Sequence, residues 1–207
     1  MLPLKHMVLV SLLCSAVAWA ADPAWRPLWN GKTLEGWHEI GKGEWKVEEG
    51  QIVGRHPKAE KEYSHLISDA VYGDFTVRFK FKSLSGNSGF YFRIEEDPKA
   101  FSGVLGFQAE IDAKNDVGGL YETNGRSWVV QPTPEQVKTF FKPGDWNEMT
   151  VSAEGSKVTV TVNGTKTADI DDPKGRKEGR LALQVHGGQD VLVYFKDLEI
   201  RGEPVKP

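Results

Sequence analysis

Three short segments carry, at alternate positions, side chains able to bind a polyhydroxylated ligand or move a proton on it. They are Tyr91 and Arg93, then Gln108, Glu110 and Asp112, then Gln184 and His186. Neighbouring side chains on a strand point to opposite faces. The apolar sets Phe90/Phe92/Ile94, Phe107/Ala109/Ile111 and Leu181/Leu183/Val185 therefore face a core, and the polar sets share the other face. Glu110 and Asp112 stand about 6.6–6.8 Å apart along such a strand, near a spacing at which two carboxylates can hydrolyse a glycosidic bond. With His186 they could also offer two oxygens and one nitrogen to a divalent ion. No ligand-spacing motif accompanies them, and neither a metal nor a cofactor is expected.

Any antiparallel sheet with one wet face shows polar residues at alternate positions. Residue type separates the cases here. The outward positions of Phe75–Lys82 are Thr76, Arg78, Lys80 and Lys82, and those of Val158–Val162 are threonines. Those are solvated faces, whereas the Tyr, Arg, Gln, Glu, Asp and His set suits a binding or reactive face.

Strands must position that set. Phe75–Lys82 and Val158–Val162 alternate strictly, and further strands are expected in Trp45–Val53 (folded back at Glu49-Gly50), Phe90–Ile94, Phe107–Asp112, Met149–Ala153, Leu181–His186 and Val191–Ile200. Asn163-Gly164 predicts a two-residue hairpin between Lys157–Val162 and Thr165–Ile170, a better reading than a glycosylation acceptor. Pro134–Phe141 is the one candidate helical turn. The fold class is all-β, an antiparallel β-sandwich or jelly roll. The tail from Gly202 to Pro207 is expected to be disordered. Tyr121 and Trp128 are candidate sugar-stacking platforms, Trp128 fitting a core role equally. Trp37, Trp45 and Trp146 are read as core, and His38, His56 and His65 as structural or surface residues.

The Glu-x-Asp run is similar to the acidic strand of sandwich-fold endoglucanases, which carries carboxylates at i, i+2 and i+4. Here i+4 is Lys114, followed by Asn115, so two-carboxylate hydrolysis lacks its second catalytic acid. A wider resemblance covers about Trp25 to Arg201. It runs through Pro27-Leu28-Trp29-Asn30-Gly31-Lys32, Gly36-Trp37, Trp45-Lys46-Val47-Glu48-Glu49-Gly50 and Gly86-Asn87-Ser88-Gly89-Phe90-Tyr91-Phe92-Arg93. It continues in Gly106-Phe107-Gln108-Ala109-Glu110-Ile111-Asp112, Gly119-Leu120-Tyr121, Gly144-Asp145-Trp146-Asn147 and Leu183-Gln184-Val185-His186. In these motifs, their order and their spacing the chain resembles the 3-keto-disaccharide hydrolase family.

The resemblance implies a concanavalin A-like lectin/glucanase sandwich acting on carbohydrate, namely 3-keto-disaccharides or other 3-keto-glycosides. A C3 ketone acidifies the C2 proton, so one base suffices: the C1 substituent leaves by elimination, and water adds back to give net hydrolysis. On this reading Glu110 or His186 is the base, and Arg93 either stabilises the enolate or pairs with Glu110 or Asp112. Tyr91, Gln108, Asp112 and Gln184 hold sugar hydroxyls, and the Asn87-Ser88-Gly89 turn also meets the ligand. A non-catalytic, lectin-like carbohydrate-binding domain is the alternative, and a structural or adhesive domain a third reading.

Residues 1–20 read as a signal peptide. Lys5 and His6 precede an apolar run from Met7 to Trp19 and the small-residue site Ala18-Trp19-Ala20, with cleavage expected after Ala20. The run is short for a membrane span. Cys14, the one cysteine, follows Leu13 rather than the small residue a lipid anchor wants, so a secreted or periplasmic protein is expected. The remaining chain, residues 21–207, is read as a single domain held by packing rather than disulfides. A formal charge of −3 with interspersed signs provides no basic stripe for nucleic acid. Oligomeric state is left open.

Overall fold

A computed structural model describes residues 24–206. The expected signal segment lies outside the described residues. In chain order the first strands are β1 (Arg26–Pro27), β2 (Trp37–Gly41), β3 (Glu44–Glu48), β4 (Gln51–His56), β5 (Ser64–Tyr72) and β6 (Phe75–Ser85). Next come β7 (Asn87–Glu96), β8 (Val104–Asp112), β9 (Leu120–Thr123), β10 (Ser127–Val130) and the helix α1 (Pro134–Phe140). The chain ends with β11 (Asn147–Glu154), β12 (Lys157–Val162), β13 (Thr165–Asp171), β14 (Gly179–Val185), β15 (Val191–Arg201) and β16 (Pro204–Lys206).

Two antiparallel sheets pack face to face, as the alternation predicts. One runs β13-β12-β11-β6-β15-β4-β3 with β1 on β15, and the other runs β10-β9-β8-β7-β14-β5-β16 with β2 on β5. The core between them is rich in phenylalanine. Phe79 of β6 meets Phe90 of β7 at 5.1 Å between ring centroids, and Phe75 meets Phe92 at 5.9 Å. Each such ring, fully buried, contributes about 1.5–3 kcal/mol, and stability rests on this packing because the only cysteine is Cys14.

Local signals explain several elements. Asn163 and Gly164 take φ of +48° and +82°, the left-handed pair of a tight hairpin. The Asn163 amide is committed to Phe140 O and Asn147 Oδ1, both at 2.7 Å. Thr133 and Gln136 cap α1 reciprocally, with Pro134 opening the helix. The expected helix end at Phe141 falls one residue later than observed, because Phe141 is the extended C-cap.

Other expectations are corrected. The tail does not dangle: Pro204–Lys206 adds a strand to β5, and Arg26 Nη2 donates to Gly202 O at 2.6 Å. Trp37 and Trp45 join the core, but Trp146 is half-exposed on the outer face of the first sheet, under the ammonium groups of Lys82 and Lys196. Strand β5 has no sequence alternation to read, because Ser64–Ser68 is buried on both faces. Beyond Leu66 in the main core, Ile67 belongs to a second apolar cluster with Tyr91, Ile94, Val104 and Ala182 on the far side of the sheet.

Candidate active site

Pairing across the second sheet lines up two transverse rows on its outer face. One row reads Glu110–Gly89–Gln184–His65–Ile40, each residue the register partner of the next. The row beside it, two residues along each strand, reads Tyr121–Gln108–Tyr91–Ala182–Ile67. Gly89 matters to both rows. A Cβ there would lie 2.5 Å from Gln108 Nε2, so glycine leaves the space over which Gln108 folds.

Above these rows is a cavity of about 210 Å³, lined by Asn87, Tyr91, Gln108, Glu110, Gln184 and His186 together with Tyr121 and Trp128. All eight are among the sequence candidates, but Asn87-Ser88-Gly89 is not the expected turn: these residues open strand β7 and pair with Asp112, Ile111 and Glu110 of β8. Trp128 and Tyr121 are cross-strand partners of β10 and β9 and meet edge to face at 5.3 Å. Tyr63, Phe101 and Thr123 complete the wall and were not anticipated.

Tyr63 immediately precedes β5, and its hydroxyl lies 2.7 Å from His186 Nε2. His186 Nδ1 lies 2.7 Å from the Gly187 carbonyl, which can only accept, so Nδ1 carries the hydrogen. The Nε2 lone pair therefore accepts from the Tyr63 phenol. Burial lowers the His186 pKa and raises that of Tyr63, so the resting pair is neutral imidazole and neutral phenol.

Glu110 is 4 % exposed and receives a hydrogen bond from the Asn87 side-chain amide. Burial pushes its carboxyl well above the usual range, against that hydrogen bond, and the negative charges of Asp112 and Asp116 push it further the same way. Tyr91, also fully buried, accepts at its hydroxyl from Gln184 Nε2 and Thr123 Oγ1, each at 3.0 Å. Its own proton is left to donate into the cavity.

Arg93 is the main correction. It was expected beside Tyr91 on the outward face, available to an enolate or to Glu110 or Asp112. Instead it is 1 % exposed and points away from the cavity. An extra residue in β7 between Phe92 and Glu95, with Arg93 at φ +50°, reverses the alternation. Arg93 turns inward and Ile94 outward. The guanidinium donates to the carbonyls of Gly73, Ala153, Gly155 and Arg176 and pairs with Asp74 at 3.2 Å, tying together strand ends.

Asp112 is also outside the cavity. Its Oδ1 accepts from Lys114 N at 2.7 Å and Asn115 N at 2.9 Å, shaping the turn after β8. Its link to the site is electrostatic, through Glu110. Among the described residues, no group of three or more His, Cys, Asp or Glu side chains is placed to hold a metal ion.

The other histidines divide. His38 bonds Asp69 and Glu96 at the surface, and His56 sits between the carbonyls of Pro57 and Glu62. His65 is wholly buried behind the cavity floor, its ring edge-on to Tyr91 at 5.0 Å, and neither ring nitrogen makes a hydrogen bond.

A profile of the family described as the 3-keto-alpha-glucoside-1,2-lyase-like domain matches residues 24–201. No curated protein matches the chain. Among solved structures, a protein from Parabacteroides distasonis ATCC 8503 provisionally named a glycosyl hydrolase superposes with TM-score 0.64 at 22% identity, over 86% of this chain and 94% of that one. The carbohydrate binding module CBM66 from Bacillus subtilis superposes with TM-score 0.62 at 22% identity, over 81% of this chain and 96% of that one. A Bacillus subtilis protein of unknown function with a galectin-like fold gives TM-score 0.61 at 12% identity, over 82% and 90%. These likenesses establish the fold.

Proposed function

The chain belongs to the 3-keto-alpha-glucoside-1,2-lyase-like family, and from that premise we propose that its outer-face cavity cleaves 3-keto-α-glucosides by elimination across C1 and C2, followed by addition of water. The observation that carries this reading is one small cavity holding a buried carboxyl, Glu110, and a phenol–imidazole pair, Tyr63–His186. At about 210 Å³ it suits a single sugar ring better than the larger ligands that typical binding clefts accept.

The resting enzyme, with His186 neutral, reacts through its minor form, in which the Glu110 proton has passed to His186 and leaves Glu110 ionised and His186 protonated. Glu110 removes the C2 proton that the neighbouring ketone acidifies. The C1–O bond breaks, a C1=C2 double bond forms, and Tyr63 protonates the departing oxygen while His186 restores the phenol's proton. The ketone oxygen, carrying enolate charge in the transition state, accepts the free Tyr91 proton. Tyr91 thus takes the stabilising role that Arg93 is placed too far away to fill, and burial keeps it neutral and able to donate.

Water then adds. Its hydroxyl bonds to C1, its proton passes through Tyr63 to His186, and Glu110, whose carboxyl proton has exchanged with solvent once the leaving group departs, delivers a proton to C2. Glu110 and His186 exchange a single proton over the cycle, which restores the starting enzyme. Between the steps Glu110 is protonated and His186 neutral, the state that the raised and lowered pKa values favour. Gln108 and Gln184 hold hydroxyls on the cavity floor, and Tyr121 and Trp128 cover a ring face. Export through the N-terminal segment belongs to this proposal, and mature protein from outside the cytoplasm should begin at Ala21.

The test is aglycone release from a 3-keto-α-glucoside and from the unoxidised glucoside. Release from the ketone alone is expected, reduced by at least about 100-fold in Glu110→Gln. Binding of both sugars with release from neither would make this a carbohydrate-binding domain.

A further inference from the structure

Beside the cavity lies a larger groove of about 420 Å³, and the two share the rings of Tyr63 and Phe101 as a partition. Those rings meet edge to face at 5.5 Å and 83°. The two sides of the partition differ in chemistry. The proton-carrying groups Glu110 and His186 face only the smaller space, whereas Ile40, Pro98, Ala100 and the ring of Phe101 give the groove an apolar lining.

The groove wall is built rather than loose. Across residues 97–103, Asp97 N donates to Gly103 O at 2.9 Å, Ala100 N to Asp97 O at 2.9 Å and Gly103 N to Ala100 O at 3.0 Å. The Asn124 amide braces the same loop through Ser102 Oγ and Val104 O. Gly103 has φ +80°, and a Cβ there would sit 3.0 Å from Ile40 Cδ1, so loop and β2 close on each other tightly. On this braced loop Phe101 is 64 % exposed, the one exposed aromatic among the large apolar side chains described. A rigidly presented aromatic face costs little ordering entropy when a ring docks on it.

Charge narrows the occupant. Glu62 and Glu96 line the groove, and no lysine or arginine does. Glu96 is engaged by His38 at 3.1 Å and Arg180 at 3.6 Å, while the exposed Glu62 carboxylate makes no ion pair among the described residues. A neutral ring is therefore admitted and an anionic one repelled.

Resting on the elimination reading above, we propose that this groove is the subsite for the leaving group, and that it selects a neutral aglycone with an aromatic or other flat apolar face. With the keto-sugar in the small cavity and the aglycone in the groove, the glycosidic oxygen crosses the partition. The Tyr63 hydroxyl, held by His186, is in that partition. The same residue thereby separates the two halves of the substrate and delivers the proton to the atom that joins them.

The experiment compares kcat/KM for phenyl and methyl 3-keto-α-glucosides in wild type, Phe101→Ala and Ala100→Trp, the last of which fills the groove. The phenyl-to-methyl ratio, taken between enzymes, cancels the intrinsic reactivity of the two leaving groups. It should fall about 10-fold in each variant, mostly through KM. A para-carboxyphenyl glycoside should be turned over more slowly than its neutral para-methyl counterpart by wild type, a preference that Glu62→Gln narrows. An unchanged ratio in both variants overturns the subsite and leaves the elimination reading standing. Release from neither glycoside by wild type overturns the elimination reading and the subsite with it.

Discussion

His65 makes the stability of the fold depend on pH in a way that can be computed. Its imidazole is 0 % exposed, with no hydrogen bond to either nitrogen, and burial brings its pKa from 6.5 down to about 3. The unfolded chain takes up a proton here below pH 6.5 and the folded one only near pH 3, so the folded state loses stability as pH falls through that window. At about 1.4 kcal/mol per pH unit, acidification from pH 7 to pH 4 costs about 3 kcal/mol through this residue. Glu110 works in the opposite direction. Its raised carboxyl binds a proton more tightly folded than unfolded, so its contribution improves on acidification from neutral pH towards the ordinary carboxylate range. The two trends partly cancel in the wild type, and the His65 share is read by difference against His65→Leu. Urea unfolding of both proteins at pH 7 and pH 4 should show the variant gaining about 3 kcal/mol on the wild type over that interval. A difference that does not move with pH would mean that His65 protonates as readily folded as unfolded, and would refute its placement in a dry layer under Tyr91.

Glu110→Gln should remove turnover and stabilise the fold at pH 8, because the amide keeps the contact with Asn87 without a buried charge; a thermal shift upward of at least about 2 °C is expected, about 1 kcal/mol for a chain of this size. The pH profile of kcat/KM should be bell-shaped, failing at low pH when Glu110 and His186 are both protonated and at high pH when neither is, and both limbs should belong to the pair rather than to one residue. His186→Ala should abolish this bell, seen as a flattened profile at residual rate. Arg93→Met should cost about 3 kcal/mol or more in urea unfolding, since it leaves buried carbonyls and strand ends untied. Arg93→Lys should rescue little of that loss, because an ammonium does not reproduce the five-donor fork.

How far the site could be read from sequence depended on how regular each strand is. Period-two alternation placed Gln108, Glu110 and Gln184 on one face because β8 and β14 are regular where those residues sit. The same count failed at Arg93, where one extra residue in β7 reverses every later position, and a bulge at a non-glycine residue leaves no signature in a single sequence. Tyr63 went unnoticed because its partner His186 is 123 residues away and only the pairing of β5 with β14 brings them together. Strand β5 hid for a related reason: buried on both faces, it shows no polar–apolar rhythm, and His65 within it gives no hint of its dry surroundings. Phe101 lies in a loop, where periodicity says nothing. The Asn163-Gly164 hairpin and the capped α1 were legible because their backbone conformations are set by the residues that form them.

Elimination followed by hydration puts a solvent hydrogen at C2 of the sugar product, whereas direct displacement at C1 leaves the original hydrogen in place. Cleavage of a 3-keto-α-glucoside in deuterium oxide, sampled early and set against an enzyme-free control, distinguishes the two by NMR at C2. Deuterium at C2 of the released 3-keto-sugar, formed only with enzyme, is the predicted result. Product that retains protium at C2 throughout would contradict proton removal at C2, and with it the role assigned to Glu110.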